Sequence, residues 1–100
     1  MNNSDIRKLE RIDECTKAYY SRHKKDNPFK QFKISWKQLA IYLVWRDGRL
    51  STSKIAKAYK HTTEYTANTI IRVHELLVNN TILLLKLMEI EDETTGPRPC

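Results

Sequence analysis

Apolar residues recur at three- and four-residue steps along most of the chain, a pattern that predicts amphipathic helices. The first predicted helix runs from Ser4 to about Lys25. It ends at Asp26-Asn27-Pro28, because proline cannot continue the helical hydrogen-bond ladder. The second is predicted over Trp36 to Arg46, where Ser35 and Gln38 have the spacing of a capping box.

The second half of the chain repeats this pattern in shorter units. Three more helices are predicted over about 51–59, 64–78 and 82–91, separated by polar breaks. The sequence therefore predicts an all-α domain of five helices spanning residues 1–91. Residues 92–100, which contain two prolines and a glycine, are expected to form a disordered tail.

The unit from about Ser51 to Val78 has the layout of a helix-turn-helix, with a short helix, a tight polar turn and a longer helix. In that motif the second helix enters the major groove of DNA, and the first crosses the phosphate backbone. Lys54, Lys57 and Lys60 lie three residues apart, so they share one side of the first helix. We expect these three side chains to contact phosphates.

The second helix of this unit has two faces of different chemistry. The predicted inward face consists of Ala67, Ile70, Ile71, His74 and Leu77. The predicted outer face consists of Tyr65, Asn68, Thr69 and Arg72. Amide, hydroxyl and guanidinium groups can bond base edges or phosphates, so this outer face has the chemistry needed for DNA.

The distribution of charge points to the same class of partner. The chain carries a net charge of +6, and twelve basic residues against two acidic ones leave +10 between Lys17 and Lys60. Four acidic residues gather between Glu89 and Glu93. A basic body with an acidic end is typical of proteins that bind polyanions, nucleic acid above all. A surplus of lysine on an ordinary solvated surface is the alternative explanation.

Other chemistry finds little support in the sequence. The two glycines cannot form a glycine-rich phosphate loop, and the three histidines have no cysteine or acidic partners at metal-ligand spacing. No catalytic residue, metal, cofactor or small-molecule substrate is therefore expected. Cys15 is predicted to be a small buried hydrophobe and Cys100 part of the loose tail, so a reducing cytoplasm with unpaired thiols is expected. No apolar run is long enough to span a membrane.

Three segments resemble the C-terminal DNA-binding domain of the bacterial replication initiator DnaA. They are Ile34–Leu43 (ISWKQLAIYL), Leu50–Tyr59 (LSTSKIAKAY) and Thr66–Leu77. The resemblance implies a Trp-repressor-like helix-turn-helix, with Lys30 and Lys33 on a basic loop that contacts the neighbouring minor groove. Without a gap, the threonine pair of the family's signature falls on Tyr65 and Thr66. A shift of three residues matches His61-Thr62-Thr63 instead.

The expected function is binding of double-stranded DNA in replication initiation or transcription control, by a protein of phage or plasmid type acting on DNA in a bacterial cell. The expected contact residues are Lys30, Lys33, Lys54, Lys57, Lys60, His61, Thr62, Thr63, Tyr65, Thr66, Asn68, Thr69 and Arg72. The last helix is apolar nearly all round at Ile82–Ile90, which predicts a homodimer or a protein partner there. A helical adaptor that binds a replication or transcription protein through that helix is the alternative function.

Overall fold

The computed structural model describes residues 2–97 and 99–100, and across them it contains helices and no strand. The helices are α1 (Asn3–Arg22), α2 (Pro28–Gln31), α3 (Trp36–Asp47), α4 (Thr52–Ala58), α5 (Thr63–Val78) and α6 (Thr81–Thr95). The predicted all-α class is confirmed. The predicted count of five is wrong, because the described residues contain a sixth helix, α2, in the segment expected to be a connector. No helix in the described part of the chain is both long enough and apolar enough to cross a membrane.

Polar side chains fix where the helices begin. Ser35 and Gln38 form the expected capping box at the start of α3, each accepting a backbone N–H of the other. Thr62 caps α5, since its hydroxyl oxygen accepts the N–H of Tyr65 at 3.0 Å. Gly48 ends α3 with a φ of 83°, a left-handed conformation that glycine adopts without a steric penalty.

The short helix α2 is a local structure built by three consecutive residues. The side-chain oxygen of Asn27 accepts the N–H of Phe29 at 2.9 Å, and Pro28 occupies the first turn, where its missing N–H is not needed. Phe29 is fully buried, and its ring packs on the rings of Tyr19 and Tyr20. One buried aromatic therefore anchors the connector between α1 and α3.

Helix α3 lies at the centre of the domain. Six consecutive residues, 39–44, are buried, so the helix is covered on all sides rather than along one stripe. It packs against α1, α4 and α5, and α6 closes the structure against α1 and α5. This arrangement leaves α4 and α5 together at one side of the domain, with one flank of α5 open to solvent.

The C-terminal segment corrects a prediction. α6 continues to Thr95, so residues 92–95 are helical and not part of a disordered tail. Basic side chains of α1 bind its last carbonyls: Arg11 Nη2 donates to Glu93 O at 2.8 Å and to Gly96 O at 3.1 Å, and Lys8 Nζ donates to Thr94 O at 3.4 Å. Cations at a helix C-terminus are favourable, because the carbonyls there carry partial negative charge.

The cysteines correct a second prediction. Cys15 is buried, as expected, but it is disulfide-bonded to Cys100, with 4.7 Å between the two Cα atoms. Arg22 supports the pairing, since its guanidinium donates to Cys100 O at 2.9 Å and to the carboxylate of Glu93 at 3.0 Å. The expectation of unpaired thiols is therefore wrong: the burial of Cys15 was predicted, but the return of the chain to α1 was not.

Candidate nucleic-acid interface

Helices α4 and α5 pack directly on each other and are joined by residues 59–62. Lys60 has a φ of 58°, and this left-handed residue reverses the chain. The N–H of His61 then donates to Ala56 O at 2.9 Å, which closes the end of α4. Ile55 and Ala56 are the buried residues of α4, so its lysines lie on the outside.

The inward face of α5 differs from the predicted one. Thr66 and Thr69 are buried, with 0% and 5% exposure, so neither can reach a ligand. Their assignment to the outer, DNA-contacting face is wrong. Val73, which was not assigned to the inward face, is buried, whereas Ile71, which was assigned to it, is 54% exposed. The rotation of α5 about its axis therefore differs from the one that its apolar residues predict.

The exposed residues of α5 still include three of the predicted contact residues. Tyr65, Asn68 and Arg72 are exposed and lie three and four residues apart, so they share one side of the helix. Thr62 and Thr63 are exposed at the helix start, although the hydroxyl oxygen of Thr62 is engaged as the cap. This side of α5 is the candidate contact surface.

Tyr65 joins this side of α5 to its surroundings. Its ring lies 4.4 Å from the ring of His61, measured between centroids. Its hydroxyl accepts a hydrogen bond from Gln38 Nε2 at 3.4 Å. The turn, the first turn of α3 and the first turn of α5 therefore meet at one tyrosine. Gln38 was expected only as a capping residue, and no signal in the sequence pairs it with Tyr65.

Arg72 connects α5 to the basic loop. Its Nη2 donates to Phe32 O at 2.7 Å and to Lys33 O at 3.3 Å. Lys33 has a φ of 58°, so the chain reverses there and holds both carbonyls toward the guanidinium. This contact brings Lys33 beside α5. Arg72 was predicted to face the bases, but the structure also gives it a positioning role.

All five predicted phosphate-binding lysines are exposed: Lys30, Lys33, Lys54, Lys57 and Lys60. None of them takes part in an ion pair within the described residues, whereas the acidic side chains pair elsewhere, as in Arg46–Glu91 and Arg22–Glu93. The amines are therefore not neutralised by the protein itself.

Two further lysines lie against the first residue of α3. Lys17 Nζ and Lys37 Nζ lie 5.6 and 5.9 Å from the ring centre of the half-buried Trp36. Trp36 was expected only as part of a helix, and the two lysines only as part of the basic stretch. Their juxtaposition depends on the packing of α1 against α3, which helix periodicity does not specify.

The end of α4 is tied to α1 by one hydrogen bond. Tyr59 Oη donates to Asp13 Oδ1 at 2.5 Å. Burial raises the pKa of Asp13 above its usual value, and the Tyr59 hydroxyl and the charge of Lys37 oppose that rise. Burial and the adjoining carboxylate also raise the pKa of Tyr59. The hydrogen bond therefore fixes the turn region against the body of the domain.

One group of side chains has the composition of a metal site. The ligand atoms of Cys15, Glu93 and Cys100 lie within 4.8 Å of one another. The two sulfurs are bonded to each other, and the carboxylate of Glu93 is engaged by Arg22. Zinc requires free thiolates, so these residues as they stand do not fit a metal ion.

Comparison of the chain with protein-family models, with curated proteins and with solved structures gives no match. The similarity to the DNA-binding domain of DnaA thus stays a prediction from the sequence.

Proposed function

We propose that the protein binds double-stranded DNA, with α4 and α5 as a helix-turn-helix and α5 as the recognition helix. The observation that carries the proposal is the exposed side of α5 at Tyr65, Asn68 and Arg72, which has uncompensated lysines on both flanks. Lys57 and Lys60 stand on one flank, on α4 and the turn. In a helix-turn-helix, basic side chains beside the recognition helix contact the phosphates that border the groove.

The two flanks have different roles in this proposal. Lys54, Lys57 and Lys60 contact the phosphates beside the major groove that α5 enters. Lys30, on α2, and Lys33, in the turn that follows it, contact the backbone or minor groove on the other side, where Arg72 holds the carbonyls of Phe32 and Lys33 against α5. Asn68 reads a base edge, since an amide can pair with adenine through two hydrogen bonds. A role in replication initiation or transcription control, in a phage- or plasmid-type protein, is part of the same proposal.

The decisive experiment is a titration of random-sequence duplex DNA at several salt concentrations, followed by fluorescence anisotropy. Affinity should fall steeply with salt, because each neutralised phosphate releases counterions. Lys57→Ala and Lys33→Ala should each weaken binding to all sequences and lower the salt slope by about one. Lys86→Ala, on α6, is the matched control and should change neither quantity. Binding that is insensitive to salt, with both variants like wild type, would rule out the proposal.

A second candidate function is a helical adaptor that binds a replication or transcription protein through α6. It is favoured by one observation, the exposure of Ile82, Leu85 and Met88 on that helix. Reversal of a charge on the DNA surface and introduction of a charge on the exposed apolar side of α6 distinguish the two functions. Lys57→Glu should abolish the function if DNA is the target, whereas Leu85→Glu should abolish it if the adaptor role is correct. Leu87 is fully buried, so its substitution would test folding instead.

A further inference from the structure

A second surface of the domain is apolar and carries no part of the proposed DNA site. We call it the apolar face and define it by six exposed side chains: Trp45 of α3, Ile71 and Val78 of α5, and Ile82, Leu85 and Met88 of α6. Val78 and Ile82 are the most exposed, at 69% and 65%. Solvation of so many large apolar groups is unfavourable, and a contiguous patch of them marks an interaction site.

The face is continuous across three helices. The rings of Trp45 and His74 are in edge contact at 6.1 Å, and His74 lies four residues before Val78 on α5. Val78 and Leu84 line the same small cavity, which joins α5 to α6. Ile82, Leu85 and Met88 then continue along α6 at three-residue steps. The exposed groups are therefore one patch rather than scattered surface residues.

The area of this patch is sufficient for a dimer. From their exposed fractions, the six residues together present about 600 Å² of accessible surface on each copy. Two such faces in contact would remove about 1,200 Å² from water, which lies at the lower bound of stable, specific interfaces. A second copy of this chain is therefore large enough to cover the face.

The arrangement on α6 is also self-complementary. Ile82 and Met88 are equally distant in sequence from Leu85. In an antiparallel pair of α6 helices related by a two-fold axis at Leu85, this residue meets its own copy and Ile82 of one copy meets Met88 of the other. An isologous interface requires such a pattern, in which one patch matches itself.

The charges near the face permit this approach. On α6 the nearest cation, Lys86, is paired with Glu89 at 3.5 Å, and Arg46 beside Trp45 is paired with Glu91 at 2.7 Å. Ile71 and Arg72 are consecutive, so their side chains diverge by about 100° around α5, and Arg72 lies beside the apolar face rather than within it.

We propose that the apolar face binds a second copy of this chain, with the two α6 helices antiparallel about an axis at Leu85. This inference is independent of the proposed function, because dimer formation can be measured without DNA.

The test is sedimentation equilibrium of the full chain between about 1 µM and about 1 mM, without DNA. The wild type should have twice the monomer mass at the upper concentrations. Leu85→Glu should raise the dissociation constant about 100-fold, since the substitution places two like charges at the axis. Ile6→Glu is the matched control: Ile6 is an exposed apolar residue of α1, and its substitution should leave the dissociation constant unchanged.

Circular dichroism confirms that each variant keeps the helical content of the wild type. A wild-type chain that stays monomeric at the highest concentration overturns the proposal, as does a dimer that both Leu85→Glu and Ile82→Glu leave intact. A higher oligomer that Leu85→Glu does not dissociate also overturns it, because that assembly would use another surface.

Discussion

Tyr59 and Asp13 join the end of α4 to α1 through a hydrogen bond of 2.5 Å between the phenol hydroxyl and a carboxylate oxygen. The carboxyl is half-buried, and burial raises its pKa above 3.8. The folded state therefore holds this proton more tightly than the unfolded state does. The stabilisation that protonated Asp13 contributes is fully present below the pKa of this carboxyl in the unfolded state. It is lost as the pH rises through the pKa of the carboxyl in the folded state.

Removal of the hydroxyl tests this relationship. Tyr59→Phe leaves the carboxylate without the donor that lowers its pKa, so the folded pKa of Asp13 should rise further. We expect a loss of about 1–2 kcal/mol at pH 7 and a smaller loss in acid, where the carboxyl is protonated. Urea unfolding at pH 7 and in acid measures the loss of unfolding free energy under each condition. Asp13→Asn/Tyr59→Phe should recover most of the loss at pH 7, and an equal loss at both pH values would contradict the explanation.

Substitution of Arg72 should act through the basic loop. Arg72→Ala removes the hydrogen bonds to Phe32 O and Lys33 O, so the position of Lys33 beside α5 is no longer fixed. Binding to every DNA sequence should weaken, and stability should fall by about 1 kcal/mol. Arg72→Lys keeps the charge but loses the planar fork, and should recover only part of the affinity. A change in preference at one base position, without a general loss, would show that Arg72 reads a base instead.

Substitutions of two adjacent residues of α5 distinguish a DNA contact from a role in packing. Asn68 is exposed, whereas Thr69 is 5% exposed. Asn68→Ala should change the preference at one position of a DNA site obtained by selection from a random pool, with a cost of about 1–3 kcal/mol. Thr69→Ala should lower thermal stability and leave the preference unchanged. The opposite pattern would mean that α5 is rotated relative to the described arrangement.

Reduction of the disulfide should destabilise the domain. The bond joins residues separated by 85 positions, and closure of a loop of that length restricts the unfolded chain by about 4–5 kcal/mol in the chain-entropy description. Cys100→Ser and chemical reduction of the wild type should produce the same shift in urea midpoint. Reduction should have no further effect on the variant. Coincident curves for the oxidised and reduced wild type would show that the pairing adds no stability.

Sequence patterns predicted those parts of the fold that local rules determine. Ser35 with Gln38 begins a helix as expected, and Ser51 begins the next by accepting the N–H of Lys54, because a cap depends on neighbours within three residues. Helix α2 escaped prediction because four residues are too few to show a helical period. The extension of α6 to Thr95 escaped because its charged residues read as a tail, although α1 supplies the cations that bind its end.

The contact surface was predictable in composition but not in detail. Lysine spacing located Lys54 and Lys57 on the outside of α4. The burial of Thr66 and the exposure of Ile71 depend on how α5 is rotated against its neighbours, which hydrophobicity alone assigns wrongly. The contacts of Gln38 and Phe32 with α5 join residues 27 and 40 positions apart, and no local pattern specifies such pairs.

The left-handed backbone at Lys33 and Lys60 has a consequence for selection. Both residues have a φ of 58°, a region in which a Cβ atom costs about 1 kcal/mol of steric strain that glycine avoids. Glycine at either position should therefore make the fold more stable while removing a cation from the proposed DNA surface. A library screened only for thermal resistance should enrich glycine at residues 33 and 60, and one screened for DNA retention should keep lysine. The two positions would then be places where the optimum for folding and the optimum for activity diverge.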